Sequence, residues 1–223
     1  MKADILEEKG AVLQADKHTY AIAPHIPGGF IDADAFGRMV DIAERYGAKA
    51  LKITAGQRVA IIGLQEEDLD RIWQDLQMAI GWAIGQRVRM VKFCPGTTYC
   101  RHGKQDAMGM GMRLDALYHG YQLSAKFKIG VAGCEYSCTA PLVKEIGLRG
   151  MPDGWTVTAG GNCGAKPRFG DVFAQGLNDA EAEDLVRRII HFFGTSGSPA
   201  KVRLGRVIDK MGVDDFKRAV LSG

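Results

Sequence analysis

Four of the five cysteines of this chain fall into two close pairs, Cys94 with Cys100 and Cys134 with Cys138, and thiolates grouped in this way can hold a metal centre. Five residues separate the first pair, three the second, and 33 lie between Cys100 and Cys134. A structural zinc takes its ligands from tight knuckles with two to four intervening residues, and the first pair is looser than that. Disulfides need an oxidising compartment, whereas the first residues, Met1 to Glu8, lack the apolar stretch of a secretory leader, which points to the cytoplasm and to reduced thiols. Loops of unequal length suit the separated irons of a 4Fe-4S cluster, so the spacing favours that centre. A single zinc and unliganded core cysteines stand as the alternatives. Cys163 belongs to neither pair and reads as a spectator.

The second group of chemical residues is cationic. Lys126 to Val131 alternates like a strand, which puts Lys126 and Lys128 on one face and Phe127 and Ile129 on the other, eight and six residues before Cys134. A solvated surface is the plainer reading of two such lysines. Arg101, His102 and Lys104 add positive charge after Cys100, and would serve equally as ordinary surface residues. Further on, the Gly160-Gly161 pair allows close backbone approach or a tight turn, with Asn162 following and Lys166 and Arg168 available to carboxylates.

These residues need a scaffold, and 223 residues with 46% apolar side chains can bury a core in one large or two small domains. A balance of 29 basic against 26 acidic side chains, with no polybasic run, does not suggest nucleic acid. Apolar runs stay far short of a membrane span. Tyr20–Ala23 reads as a strand entering a Pro24–Gly29 turn. A helix follows, capped by Asp32 or Asp34, with Phe36, Val40 and Ala43 on its inner face and Gly47 at its end. Strands at Leu51–Thr54 and Val59–Ile62 flank a Gly56 turn, and a helix over Glu66–Met78 completes a β-α-β-β-α unit. Met90–Phe93 is a strand that delivers Cys94, and Cys100 opens a helical stretch. Its Ala107–Met112 run contains no Gly-x-Gly-x-x-Gly, so it reads as close packing against a cofactor or another helix. Ile146–Leu148 and Trp155–Thr158 are strands. Asp179–Phe193 is a helix, and a Gly194–Pro199 linker leads to a helical tail broken at Gly212.

Cys94-Pro95-Gly96 with Cys100, then Lys126-Phe127-Lys128-Ile129-Gly130-Val131 with Gly133-Cys134 and Cys138, and later Gly160-Gly161-Asn162, resemble the sirohaem-binding half of sulfite and nitrite reductases. The resemblance covers most of the chain and is strongest to the small, low-spin or assimilatory-type sulfite reductases. It implies an α+β fold: a ferredoxin-like half-domain over 1–86, a sirohaem and 4Fe-4S region of α/β type over 87–198, and a helical tail over 199–223. It also implies that Cys94, Cys100, Cys134 and Cys138 hold the cluster and that Cys138 bridges it to the sirohaem iron. Lys126 and Lys128 would then be catalytic, meeting sulfite and its protons. Together with Arg58, Arg101, Gly160, Gly161, Asn162 and Arg168, they would also bind the cofactor's carboxylates. Two departures stand out: Gly56 lies where the family carries an arginine, which Arg58 would replace by proximity, and Glu135-Tyr136-Ser137 replaces the usual Pro-Asn-x. The implied activity is six-electron reduction of sulfite to sulfide, with electrons from a separate donor protein and possible homodimerisation. The alternatives are nitrite as substrate, or a sirohaem and iron–sulfur protein that transfers electrons without turnover.

Overall fold

The computed structural model describes residues 2–222, which divide into two units between Gly85 and Gln86. In the first unit an antiparallel sheet is built from β1 (Ile5–Leu6), β2 (Ala11–Leu13), β3 (Tyr20–Ile22), β4 (Ala50–Ile53) and β5 (Val59–Leu64), in the order β1-β2-β3-β5-β4. Helices α1 (Ala33–Arg45) and α2 (Leu69–Leu76) pack their apolar stripes on it, so that Met39, Ile42, Ile72 and Leu76 share a core with Tyr20, Ile22 and Ile61. The expected β-α-β-β-α unit is present, extended by β1 and β2.

Asp32 caps α1, its carboxylate accepting the Ala35 amide at 2.7 Å. The inner face of α1 corrects the sequence reading. Ala35, Met39 and Ile42 are buried, while Phe36 and Val40 are 45% and 36% exposed. Two apolar stripes run one position apart, about 100° around the helix, and packing against the sheet selects the other one. In the β4–β5 hairpin the left-handed residue is Gln57 rather than Gly56.

The second unit carries the order β10-β9-β8-β7-β6, from β6 (Val88–Phe93), β7 (Phe127–Ala132), β8 (Ile146–Met151), β9 (Gly154–Ala159) and β10 (Asp171–Leu177). β6, β7 and β8 are mutually parallel, and β9 and β10 complete the sheet antiparallel. A short helix α3 (Gly96–Tyr99) follows β6, and α4 (Ala107–Tyr118) packs on β6 and β7. Cys100 therefore closes a short helix rather than opening a long one, and the next helix starts at Asp106, whose carboxylate accepts the Gly109 amide. At Gly111 the small-residue run of α4 packs on the sheet: a Cβ there would lie 2.2 Å from the Phe93 ring, so glycine lets α4 settle onto β6.

Helix α5 (Asp179–Thr195) begins at an Asn178–Glu181 capping box, and Trp155 of β9 donates its indole N–H to Asp179 at 2.7 Å. α6 (Leu204–Met211) and α7 (Val213–Ser222) bury Leu204, Ile208, Phe216 and Val220. Phe216 meets Phe173 and Phe192 edge to face. No helix among the described residues is long and apolar enough to cross a membrane.

Candidate functional site

Phe93 and Val131 are register partners in the parallel β6–β7 pair, so the chain leaves both strands at the same end of the sheet, with Cys94 and Cys134 just beyond. Gly96 and Gly133 then allow the two cysteine loops to touch, since a Cβ on Gly133 would lie 2.7 Å from the Gly96 Cα and 2.9 Å from the Gln105 carbonyl. The Gly133 amide donates to the Cys94 sulfur at 3.1 Å, and the Gly133 carbonyl accepts the Lys104 and Gln105 amides. Farther out, His102 and Tyr136 meet edge to face at 5.2 Å, so the second ends of the loops are also joined.

All five cysteines are free; Cys134 is buried, Cys94 and Cys100 are half-buried, and Cys138 is exposed. A tetrahedral zinc with four thiolates holds its sulfurs about 3.8 Å apart. Among the described residues no three of these sulfurs lie within 4.8 Å of one another, so the set is spaced more widely than one zinc would hold it. Four thiols on two touching loops, one of them accepting a backbone N–H, fit the donor set of an iron–sulfur cluster.

The other end of the same sheet holds a cavity of about 920 Å³. Lys126, Lys166, Arg168, Lys201, Arg203 and Arg206 line it against a single carboxylate, Asp209, an arrangement suited to a polyanionic ligand. Lys126, just before β7, and Lys128, within it, are both half-buried, while Phe127 and Ile129 are buried. Burial, more than any neighbour, holds both amines below the ordinary lysine range, with Arg203 pressing further on Lys126 and Lys126 on Lys128. Cys134 lies six positions after Lys128 and just beyond the end of β7, about 20 Å away along an extended chain. The chain returns from Cys138 to Glu145 across β7, where a Cβ on Gly130 would lie 3.1 Å from the Pro141 Cα. Exposed Cys138 therefore stands at the head of the segment that leads from the cysteine end of the sheet toward the cavity end.

The remaining predicted residues divide. Gly160 and Asn162 line the cavity, but the Gly160 amide already donates to the Glu145 carbonyl at 2.8 Å and is not free for a ligand carboxylate. Gly161 does permit a close approach, to the chain's own backbone: its Cβ would lie 2.5 Å from the Leu142 and Lys144 carbonyls. The Asn162 side chain donates to the Lys166 carbonyl and accepts from Arg203. Arg168 lines the cavity with its charge shared between Asp171 and Asp209. Arg101 is exposed and donates to His102, outside this cavity's lining. Arg58, in the first unit, is buried. Glu135, Tyr136 and Cys163 are exposed. Lys201, Arg203, Arg206 and Glu145 were not legible as site residues. The basic spacing of 201, 203 and 206 was the available signal.

Residues 84–222 match the family described as nitrite and sulphite reductase 4Fe-4S domain, and residues 12–79 match the nitrite/sulfite reductase ferredoxin-like half domain. The chain is similar to the assimilatory-type sulfite reductase of Nitratidesulfovibrio vulgaris, 38% identical over 96% of this chain and 98% of that protein. It is also similar to an NAD(P)H nitrite reductase of Bacillus subtilis, 32% identical over 84% of this chain but only 23% of the longer relative. In fold it resembles the NirA protein of Mycobacterium tuberculosis, with a TM-score of 0.81, 17% identity, and coverage of 99% of this chain and 44% of that one.

Proposed function

We propose, from the premise that this chain belongs to the nitrite and sulphite reductase family, that it reduces sulfite to sulfide with six electrons, using a sirohaem coupled to a 4Fe-4S cluster. One observation carries the reading: the loops that carry two cysteine pairs far apart in sequence are brought into contact at Gly96 and Gly133, with the Cys94 sulfur already accepting a backbone N–H. Cys94, Cys100, Cys134 and Cys138 would hold the cluster, and exposed Cys138 would also be the ligand to the sirohaem iron. When bound, the two groups supply an open iron coordination position and an electron store beside it.

The rest is the work of side chains. Lys126, Lys166, Arg203 and Arg206 would offset carboxylate charge in the cavity, and Arg168 would do so to the extent that its aspartate partners release it. Lys128, two residues nearer the cysteines, would meet the oxygens of sulfite. Amines held below the ordinary lysine range give up a proton more readily than exposed lysines, which suits them to deliver protons as oxygen leaves as water. Electrons would come from a separate donor protein, and the reducing cytoplasm would keep the four thiols available to iron.

Nitrite is the second reading, favoured by the similarity to the nitrite reductase of Bacillus subtilis. The deciding experiment begins with the visible spectrum, iron and labile sulfide of the purified protein, then its turnover of sulfite and of nitrite with a reduced viologen. Sirohaem bands with sulfite turnover are expected. A colourless protein would end the reading. Bands without turnover of either anion would leave an electron carrier, and faster nitrite turnover would exchange the substrate.

A further inference from the structure

We propose that Glu145 is a positioning residue, which aims the guanidinium of Arg203 into the basic cavity to hold a carboxylate of the bound tetrapyrrole. The inference rests on the sirohaem reading and adds to it a C-terminal segment that neither motif nor resemblance had marked.

Glu145 is 0% exposed and is fully engaged. One carboxylate oxygen accepts the Lys128 amide at 2.9 Å, which ties it to the lysine strand β7. The other accepts Nε of Arg203 at 2.5 Å and is also contacted by Nη2. Nη1 of Arg203 donates to the Asn162 side-chain oxygen at 2.9 Å. Three of the five guanidinium N–H groups are thus fixed by two partners on different segments, so the plane of the fork is set. Two N–H groups remain for a ligand in the cavity that Arg203 lines. A fork held in place before the ligand arrives loses little freedom on binding and matches a carboxylate in shape.

A buried carboxylate among cations could instead serve only to neutralise them, and the two roles differ in sign. A neutraliser weakens anion binding, so Glu145→Gln would tighten it. A positioning residue strengthens binding through Arg203, so Glu145→Gln would weaken it although the cavity becomes more positive.

The experiment follows sirohaem release from the purified holo-protein to excess serum albumin, by absorption, for the native chain, Glu145→Gln, Arg203→Gln and the double variant. Each single substitution should speed release about tenfold or more, the scale of one lost hydrogen bond to a charged group. The double variant should release no faster than Arg203→Gln alone, because Glu145 acts through that side chain. Unchanged or slower release from Glu145→Gln, or losses that multiply in the double variant, would overturn the proposal. Should Glu145→Gln not fold, Arg203→Lys decides: release as fast as from Arg203→Gln supports an aimed fork, and native-like release shows that charge alone suffices and overturns it. A native protein without sirohaem would instead remove the cofactor reading itself, together with this proposal.

Discussion

Serine keeps the size of cysteine but lacks the soft sulfur that iron prefers, so single substitutions test the ligand set residue by residue. Cys94→Ser, Cys100→Ser, Cys134→Ser and Cys138→Ser should each lower iron and labile sulfide, whereas Cys163→Ser should leave both unchanged. Equal loss from all five would remove the assignment. The lysines make a prediction about pH. Burial holds Lys126 and Lys128 below the ordinary lysine value, so between their lowered values and that ordinary value the unfolded chain binds more protons than the folded one. Stability in that window should therefore rise as pH rises, and urea denaturation of Lys126→Met and Lys128→Met should show a flatter profile than the native chain. An anion bound beside the amines favours their charged form, so its binding in the same window should take up protons, measurable by calorimetry in buffers of different ionisation heat. At this scale the cysteines were legible because their spacing is local. Glu145 and Arg203 were not, because 58 positions separate them and only the fold brings a carboxylate at the head of β8 against a residue that precedes α6.

Among the elements, the contact between the two cysteine loops is the most exposed to a small change. Gly133→Ala would drive a methyl to 2.7 Å from the Gly96 Cα, against backbone that has no rotamer with which to yield. We expect it to cost about 1–3 kcal/mol of stability and to lower cluster occupancy, read by chemical denaturation and iron analysis. Gly37→Ala, where no atom lies within 4 Å of the added methyl, serves as the control and should do neither. Longer periodic elements were readable from the sequence: α1, α2, α5 and β5 to β9 announce themselves by spacing and caps. β1 and β2 are too short to alternate visibly, and β10 is broken by register shifts and carries Gly176 at positive φ, which interrupts the pattern that would have revealed it. The inward stripe of α1 was misread because Phe36 and Val40 are as apolar as Met39 and Ile42, and only the sheet beneath distinguishes them.

For the whole molecule, the second unit includes α6 and α7, which contribute to its core rather than decorate it. Phe216 is 1% exposed and meets two aromatic rings, so Phe216→Ala should destabilise this unit by about 3–5 kcal/mol, measured as a shift of its denaturation midpoint. Self-association is a separate expectation: light scattering of the holo-protein at micromolar concentration should give twice the mass of one chain, and a single-chain mass would end it. The cavity also has a history in time. Its walls include Lys126 on one side and Lys201 to Asp209 on the other, and at roughly 5–20 residues per second a ribosome takes about 4–15 s to pass from the first to the second. Until the final stretch has emerged and folded, one wall is missing. Capture of a ligand in this cavity is therefore an event in the life of the finished chain, and a nascent chain stalled before residue 200 should carry the cysteine loops yet retain nothing in the cavity.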